Sequence, residues 1–488
     1  MRSSFTKTSA ALASIGIGLC LSGCATFPEL RPADVKLADT WHATQPHDGR
    51  TSELVTWWGT FNDPSLIALI RLAQEENPTV ASAVADIERA RATLASEQAN
   101  LFPVLDGSAS ATRSGTDGSS TNRVAAATLS SGGLDASWEI DLFGKVRQKT
   151  EAAGLRVDQR VDDWYDTRVS LAAEVADYYV QYRACRQLEN AYSVELTSQR
   201  ETIRATEKAA ASGLTSSADL ALARASAASS SSTLIAQRTE CNVLIISLAQ
   251  VTGGDEATVR RLLAQGKAGL PAPKSFQITA VPAEALRQRP DINALELEVA
   301  ASVADVGAAK ADLYPSLSLA GSVTISSSTL TGAALPWSFG PALTIPLFDG
   351  GSRRATVMGA IADYDTAAAN YKSGVLSAVA EVETALVRID STRRRISDAS
   401  SAARNYRTYF NAIDTNWRAG GVSLLDREEA RRAAQSSEIS LIEIRRDAVR
   451  YWIALYKALG GGWDAGAGSP PGRTANTLRS SNTQGNQL

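Results

Sequence analysis

Histidine is almost absent from this 488-residue chain: His42 and His47 are the only two, and both lie near the N-terminus. No Cys/His cluster, Gly-rich phosphate loop or nucleophile elbow follows, so the chain is read as a non-enzyme with no metal site and no cofactor. Neither sign of charge prevails, with 49 Lys and Arg against 52 Asp and Glu, and nothing marks a nucleic-acid surface. The carboxylates sit mostly among Arg and Lys on helical stretches and read as solvated faces. Proline is missing from Lys145 to Ser212, and glycine occurs there only at Gly154. Alanine, glutamate, arginine and glutamine fill much of that stretch, as helix propensity asks. A helix of 68 residues is roughly 100 Å long. No soluble domain core buries such a rod along its length, so it belongs to a bundle, a coiled coil or a tube.

What is present at the N-terminus is a targeting segment. Arg2 and Lys7 precede an apolar stretch, Ala10 to Leu21, that is too short to span a bilayer. It ends in Leu21-Ser22-Gly23-Cys24, which looks like a bacterial lipobox. Cleavage before Cys24 would leave a lipidated N-terminus, and Ala25 in place of Asp favours sorting to the outer membrane. Several acyl chains, at about 0.8 kcal/mol per buried methylene, make a durable anchor.

Further along, the chain repeats itself. Pro78 and Pro103 recur as Pro290 and Pro315, each 212 residues later. Between the first pair, Val80, Ala83, Ile87, Ala90, Leu94, Glu97 and Leu101 form a seam of period 3.5. Ile292, Leu295, Val299, Ser302, Val306, Ala309 and Leu313 repeat it. Each seam leads into alternating strands. Leu134, Ala136, Trp138, Ile140 and Leu142 oppose Asp135, Ser137, Glu139 and Asp141, with Ser114 to Arg123 as the preceding hairpin loop. Leu317, Leu319, Val323 and Ile325 oppose Ser316, Ser318, Ser322 and Thr324. Trp337, Phe339, Leu343, Ile345 and Leu347 oppose Ser338, Gly340 and Thr344. Each strand region leads into a long helical hairpin, turning at Gly213-Leu214-Thr215 and at Gly420-Gly421. About four amphipathic strands cannot close a barrel alone. They form either a membrane barrel shared among chains or a soluble sandwich, and the lipid signal favours the barrel.

Cys185 stands 28 residues before Gly213 and Cys241 stands 28 after it. In an antiparallel hairpin the two face each other, and the oxidising periplasm predicts a disulfide between them. Two separate buried thiols are the alternative.

Trp57-Trp58 with Asp63-Pro64, Asn77-Pro78, Gly213-Leu214-Thr215, Arg289-Pro290-Asp291 and Tyr314-Pro315-Ser316, in this order and spacing, resemble the TolC-type outer-membrane efflux factors, within them the NodT-like lipoprotein branch. The resemblance covers about Ala25 to Gly462. It implies a mostly α protein with β: a homotrimer whose chains contribute four strands each to a 12-stranded transmembrane barrel, continued by a periplasmic helical barrel and an equatorial collar. It also implies passive export, with a periplasmic adaptor and an inner-membrane pump, of the RND type, as partners beside outer-membrane lipid. The tips Gly213, Leu214, Thr215, Gly420, Gly421, Val422 and Ser423 would meet the adaptor, or be turns and nothing more. Asp426 and Glu429 match the spacing of the acidic pair at the closed aperture of related channels. At i and i+3 they share a helix face. Where the family carries a Val-Leu-Asp-Ala-like run, this chain has Arg427-Glu428-Glu429-Ala430, and a surface ladder with Arg431 is the alternative.

The organisation expected is a signal peptide at 1–23, a lipidated tether and equatorial segment at 24–64, and a first repeat at 65–252. That repeat holds a β-hairpin at 104–142 and a helical hairpin at 145–252. A connector at 253–289 leads to a second repeat at 290–459, with a β-hairpin at 316–348 and a helical hairpin at 352–459. A tail at 460–488 follows. The first hairpin, stapled by its cysteines, would be held firm and the second left free to move. Metal-ion efflux and type I protein secretion are the alternative uses of the same tube. A lipid-anchored coiled-coil scaffold without a pore is the rival from another class.

Overall fold

The computed structural model describes residues 57–116, 124–273, 286, 288–329 and 332–462. Cys24 and its lipobox, the segment 25–56, the centre of the 114–123 loop and the tail from 463 onward lie outside the described residues. In chain order the elements are α1 (Pro64–Glu76), α2 (Pro78–Ala99), β1 (Val104–Thr116), β2 (Val124–Ile140), α3 (Lys145–Ala211), α4 (Ser217–Thr252), α5 (Glu256–Gln265), α6 (Pro290–Ala311), β3 (Ser316–Ser328), β4 (Gly332–Ala334), β5 (Trp337–Thr344), α7 (Ser352–Arg418) and α8 (Leu424–Ala458). Helix dominates. α3 and α7 have 67 residues each, α2 and α6 have 22 each, and α4 and α8 have 36 and 35.

The chain divides into two compact units. The first, made of the described residues within Glu97–Ala152 and Val299–Ala369, contains the sheet. β1, β2 and β3 pair antiparallel in sequence order, and β4 and β5 both pair with β3. The fourth strand position is thus broken between Ala334 and Trp337. Pro336 lies in the break; its carbonyl still accepts from the Thr324 amide at 3.0 Å, but its ring nitrogen has no hydrogen to give back. The register aligns Leu105 with Ala136, Gly321 and Phe339, and Leu134 with Val323 and Trp337, making one apolar face. Trp337 and Phe339 are each 75% exposed on it. The other face is a polar ladder in which Ser110 meets Ser131 at 2.8 Å and Ser322 meets Ser338 at 2.9 Å. On that face Asp106 stands directly opposite Asp135.

Below the sheet, Asp312 at the end of α6 bridges the starts of both long helices. It accepts from Lys145 Nζ at 2.5 Å and from Arg353 Nε at 3.1 Å. The two cations hold its carboxyl below the usual range against the opposing effect of burial, which is the larger single influence. Phe143 stacks on Tyr314, with ring centroids 4.8 Å apart.

The second unit, made of the described residues within 57–96, 153–298 and 370–462, holds the main core. Leu66 and Leu69 of α1, Val175 and Tyr179 of α3, Leu248 of α4 and Leu455 of α8 are buried together there. Asp63 caps α1 by accepting from the Ser65 amide at 3.1 Å, and Pro64 stands at the first helical position. Gly253 ends α4 in the left-handed region at φ 69°, pressed so close to the Glu76 carbonyl that a side chain there would collide with backbone.

One sequence reading is corrected here. The stretch from Ala25 to Trp58, with Pro28, Pro32 and Pro46 and no periodicity, reads as an extended tether, but Trp57 and Trp58 at its end are not extended. They lie in a turn over Trp57–Phe61, where Trp57 stacks on Tyr456 at 4.9 Å and Trp58 Nε1 donates to the Tyr456 hydroxyl at 3.2 Å. The 253–289 connector also holds a short helix that its sequence pattern did not mark. Asp255 caps α5 by accepting from the Thr258 amide at 2.9 Å, and Val259 and Leu263 bury its inner face.

Candidate functional site

Both hairpin tips are built by the same local chemistry. At the first, the Gly213 amide donates to the Ala210 carbonyl at 3.0 Å and the Leu214 amide to the Ala209 carbonyl at 2.9 Å. Gly213 takes φ 68°. This is a Schellman end, which satisfies carbonyls that the helix leaves open. At the second tip, Gly420 donates to Trp417 and Gly421 to Asn416, both at 2.9 Å, with Gly420 at φ 79°. Three residues after each of these glycines a serine caps the returning helix. Ser216 and Asp219 form a reciprocal capping box, and so do Ser423 and Asp426. Leu214 is 82% exposed at its tip. The tips are therefore tightly bonded points.

The capping box decides the state of Asp426. Its carboxylate accepts from the Ser423 hydroxyl at 2.6 Å and the Ser423 amide at 3.0 Å, and these bonds hold its pKa below the usual range. Asp219 is lowered in the same way by Ser216 and Thr215. Asp426 is thus a fixed anion at the start of α8, where the helix dipole also favours negative charge. Glu429, one turn on, is exposed.

The residues between and after them are not a surface ladder. Arg427 and Glu428 are each 2% exposed and Arg431 is 6% exposed. Arg427 donates to Asp414 at 2.6 Å, to the Thr202 hydroxyl at 2.7 Å and to Glu428 at 3.1 Å, and lies 4.7 Å over the ring of Trp417. Arg431 pairs with Glu428 at 2.8 Å and with Glu195. Gln199 donates to Glu195 at 3.1 Å and to Glu428 at 2.9 Å. Burial pulls the Arg431 pKa down to about 10, and the neighbouring Arg432 adds to that. This chain of charges runs from α7 through α8 to α3 and ties the second hairpin to the first. The expectation of a freely moving second hairpin does not take it into account. The signal lay in the spacing: Leu424, Arg427, Glu428, Arg431 and Ala434 fall on one helix face, which here is the buried one.

In the first hairpin Cys185 of α3 and Cys241 of α4 are joined, with Cα atoms 5.6 Å apart, beside Leu244, Tyr178 and Tyr182. Among the described residues no group of His, Cys, Asp and Glu is arranged to hold a metal ion, and no helix is long and apolar enough to cross a membrane.

A model of the outer membrane efflux protein family matches residues 69–254 and 281–461. Nodulation protein T of Rhizobium leguminosarum bv. trifolii is 28% identical over 445 residues, covering 90% of this chain and 94% of the relative. Outer membrane protein OprJ of Pseudomonas aeruginosa is 30% identical over 479 residues, covering 94% of this chain and 97% of the relative. Among solved structures, the outer-membrane channel OprN superposes with a TM-score of 0.79 at 30% identity, over 90% of this chain and 100% of that one. The open state of the Neisseria gonorrhoeae MtrE outer membrane channel gives 0.75 at 26% identity, over 90% and 98%. The chain therefore belongs to the outer membrane efflux protein family, whose members sit in the outer membrane and reach into the periplasm as the exit component of tripartite efflux systems.

Proposed function

We propose that three copies of this chain form one efflux channel. Each copy supplies four strand positions to a twelve-stranded barrel and its long helices, from two halves of one repeat, to a periplasmic tube. The observation that carries this reading is the sheet. One face is apolar and exposed, the other is Ser, Thr, Asp and Glu. Among the described residues, the outer edges of β1 and of β4 and β5 have no partner strand. Open edges are not tolerated in lipid, and transmembrane barrels start at eight strands, so several copies must share one barrel. The helices support it too. α2 and α6 have equal length and matching seams, yet α2 buries only Val80 and Ile87 while α6 buries residues along more than one face. α7 exposes Met358, Leu376 and Val387. A neighbouring copy's α7 laid on α2 would give α2 the second flank that α6 already has.

In this reading the tube passes cargo from an inner-membrane pump of the RND type through a periplasmic adaptor seated on the two tips. Cys24 carries the lipid, and the Cys185–Cys241 bond persists in the periplasm. Asp426 and Glu429 line the narrowest aperture, where six carboxylates from three copies attract cations. Single-channel recording of the purified full chain in planar bilayers tests the reading. Discrete conductance steps are expected, blocked by divalent cations. Asp426→Asn with Glu429→Gln should weaken that block, while Asp219→Asn, which removes the equivalent capping acid at the other tip, should leave it unchanged. Absence of steps would make the chain a scaffold. An unaltered block in the double variant would remove both acids from the aperture.

A further inference from the structure

Within the second unit, residues of α3, α5, the turn after α5 and α8, with Ile245 of α4, line an open cavity of about 820 Å³. That is the size of a site for a small ligand. Four arginines line it, Arg183, Arg186, Arg260 and Arg445, against one carboxylate, Glu438, which is already paired with Arg407. Arg183 is 7% exposed and is fixed in place. Its Nε donates to the Tyr179 hydroxyl at 2.8 Å, its Nη2 to the Leu263 carbonyl at 3.1 Å, and its guanidinium lies 4.8 Å over the Tyr179 ring. Gly266 lies so close that any side chain there would strike this guanidinium. Arg186 and Arg260 pair along their own helices with Glu189 and Glu256 and remain half exposed. Arg445 is exposed and reaches only Ser400 Oγ, at 3.4 Å, among the bonds it makes to described residues.

The rest of the wall is of two other kinds. Gln187 and Asn190 bring side-chain amides, and Ile245, Leu441 and Ile442 bring apolar surface. Guanidinium forks match carboxylates, amides match peptide groups, and small apolar patches match methyl groups. We propose that this cavity binds an acidic, alanine-containing peptide, the chemistry of the stem peptide of peptidoglycan. A protein anchored in the outer membrane and reaching into the periplasm must pass through that layer. Binding there would hold the tube upright in the wall, a role separate from conduction.

The test uses the full-length protein in detergent and purified peptidoglycan sacculi, read by co-sedimentation, with free stem peptide, citrate and inorganic phosphate as competitors. Arg260→Gln with Arg445→Gln changes two exposed side chains outside the conducting aperture, so the fold, checked by melting temperature, and the conductance steps should be unchanged. Retention on sacculi is expected to fall roughly tenfold or more, as the loss of a charge-assisted hydrogen bond predicts. Free stem peptide should displace the native protein at concentrations where citrate and phosphate do not. Equal retention of native and variant protein, or no retention of either, would overturn the proposal. Displacement by citrate or phosphate as effective as by the peptide would overturn it too, leaving a site for small anions of any kind.

Discussion

Asp426 and Arg427 are adjacent in the chain and end in opposite settings. Asp426 stays in solvent, its carboxylate bonded by its own helix start; Arg427 goes inside, with Asp414, Glu428 and Thr202 around it. Two charges buried together gain little over well-packed apolar side chains, whereas breaking such a pair strands its partner. Glu428→Leu should therefore destabilise the protein by about 3–5 kcal/mol, seen as a lowered melting temperature in detergent. Adding Arg427→Leu, Arg431→Met and Glu195→Leu to it, which removes the buried charges together and leaves Asp414 with Arg418, should bring the melting temperature back toward the native value. A single variant that melts like the native protein would show that the network is not closed. None of this was legible from residue type, because charged side chains are read as surface by default. Reading α8 by spacing alone places these charges on the inward face. Their partners, however, lie as far as 236 residues away in sequence, the separation of Arg431 from Glu195, and no local pattern names them.

At the scale of elements, the long helices were the most legible feature. α3 and α7 fall in the proline-free stretches and end at glycines that only a left-handed turn requires. The strands followed from alternation, though the break at Pro336 was a signal passed over. α5 was missed because ten residues with two buried apolar anchors give too little periodicity to stand out from a connector. The capping serines and aspartates were also readable, since both tips repeat glycine, serine and aspartate at the same spacing of three. One prediction belongs to α3 and α4 as a pair. A bond between Cys185 and Cys241, 56 residues apart, contributes about 4 kcal/mol in the chain-entropy account. Titration of the unreduced mature protein should find neither thiol reactive, and Cys185→Ser with Cys241→Ser should lower the melting temperature. Two reactive thiols would sink the assignment.

For the whole molecule, acidity is the most accessible control. Asp162 and Asp166 of α3 both titrate near 6. Burial raises each one; a hydrogen bond from Asn293 partly offsets it at Asp162, and the charge of Asp291 adds to it at Asp166. Folding thus favours their protonated forms. Their contribution to stability is complete below the ordinary value of 3.8 and is lost as pH rises through about 6. Asp219, Asp414 and Asp426 are lowered and act in the opposite sense, contributing above 3.8 and losing that contribution only as pH falls beneath it. Between about pH 7.5 and 5 the raised pair prevails, so the melting temperature should climb on acidification. Asp162→Asn with Asp166→Asn should raise it at neutral pH and flatten the climb; an unchanged slope would assign the effect elsewhere. The sheet carries a last consequence, for biogenesis. If copies share one barrel as proposed, a lone copy reaches the membrane with outer edges of β1 and β5 that, among the described residues, have no partner strand, and lipid cannot satisfy such edges. Insertion must then wait for encounter with other copies. Its rate should climb more steeply than in proportion to expression, and a newly exported chain remains vulnerable to periplasmic proteases until it finds them.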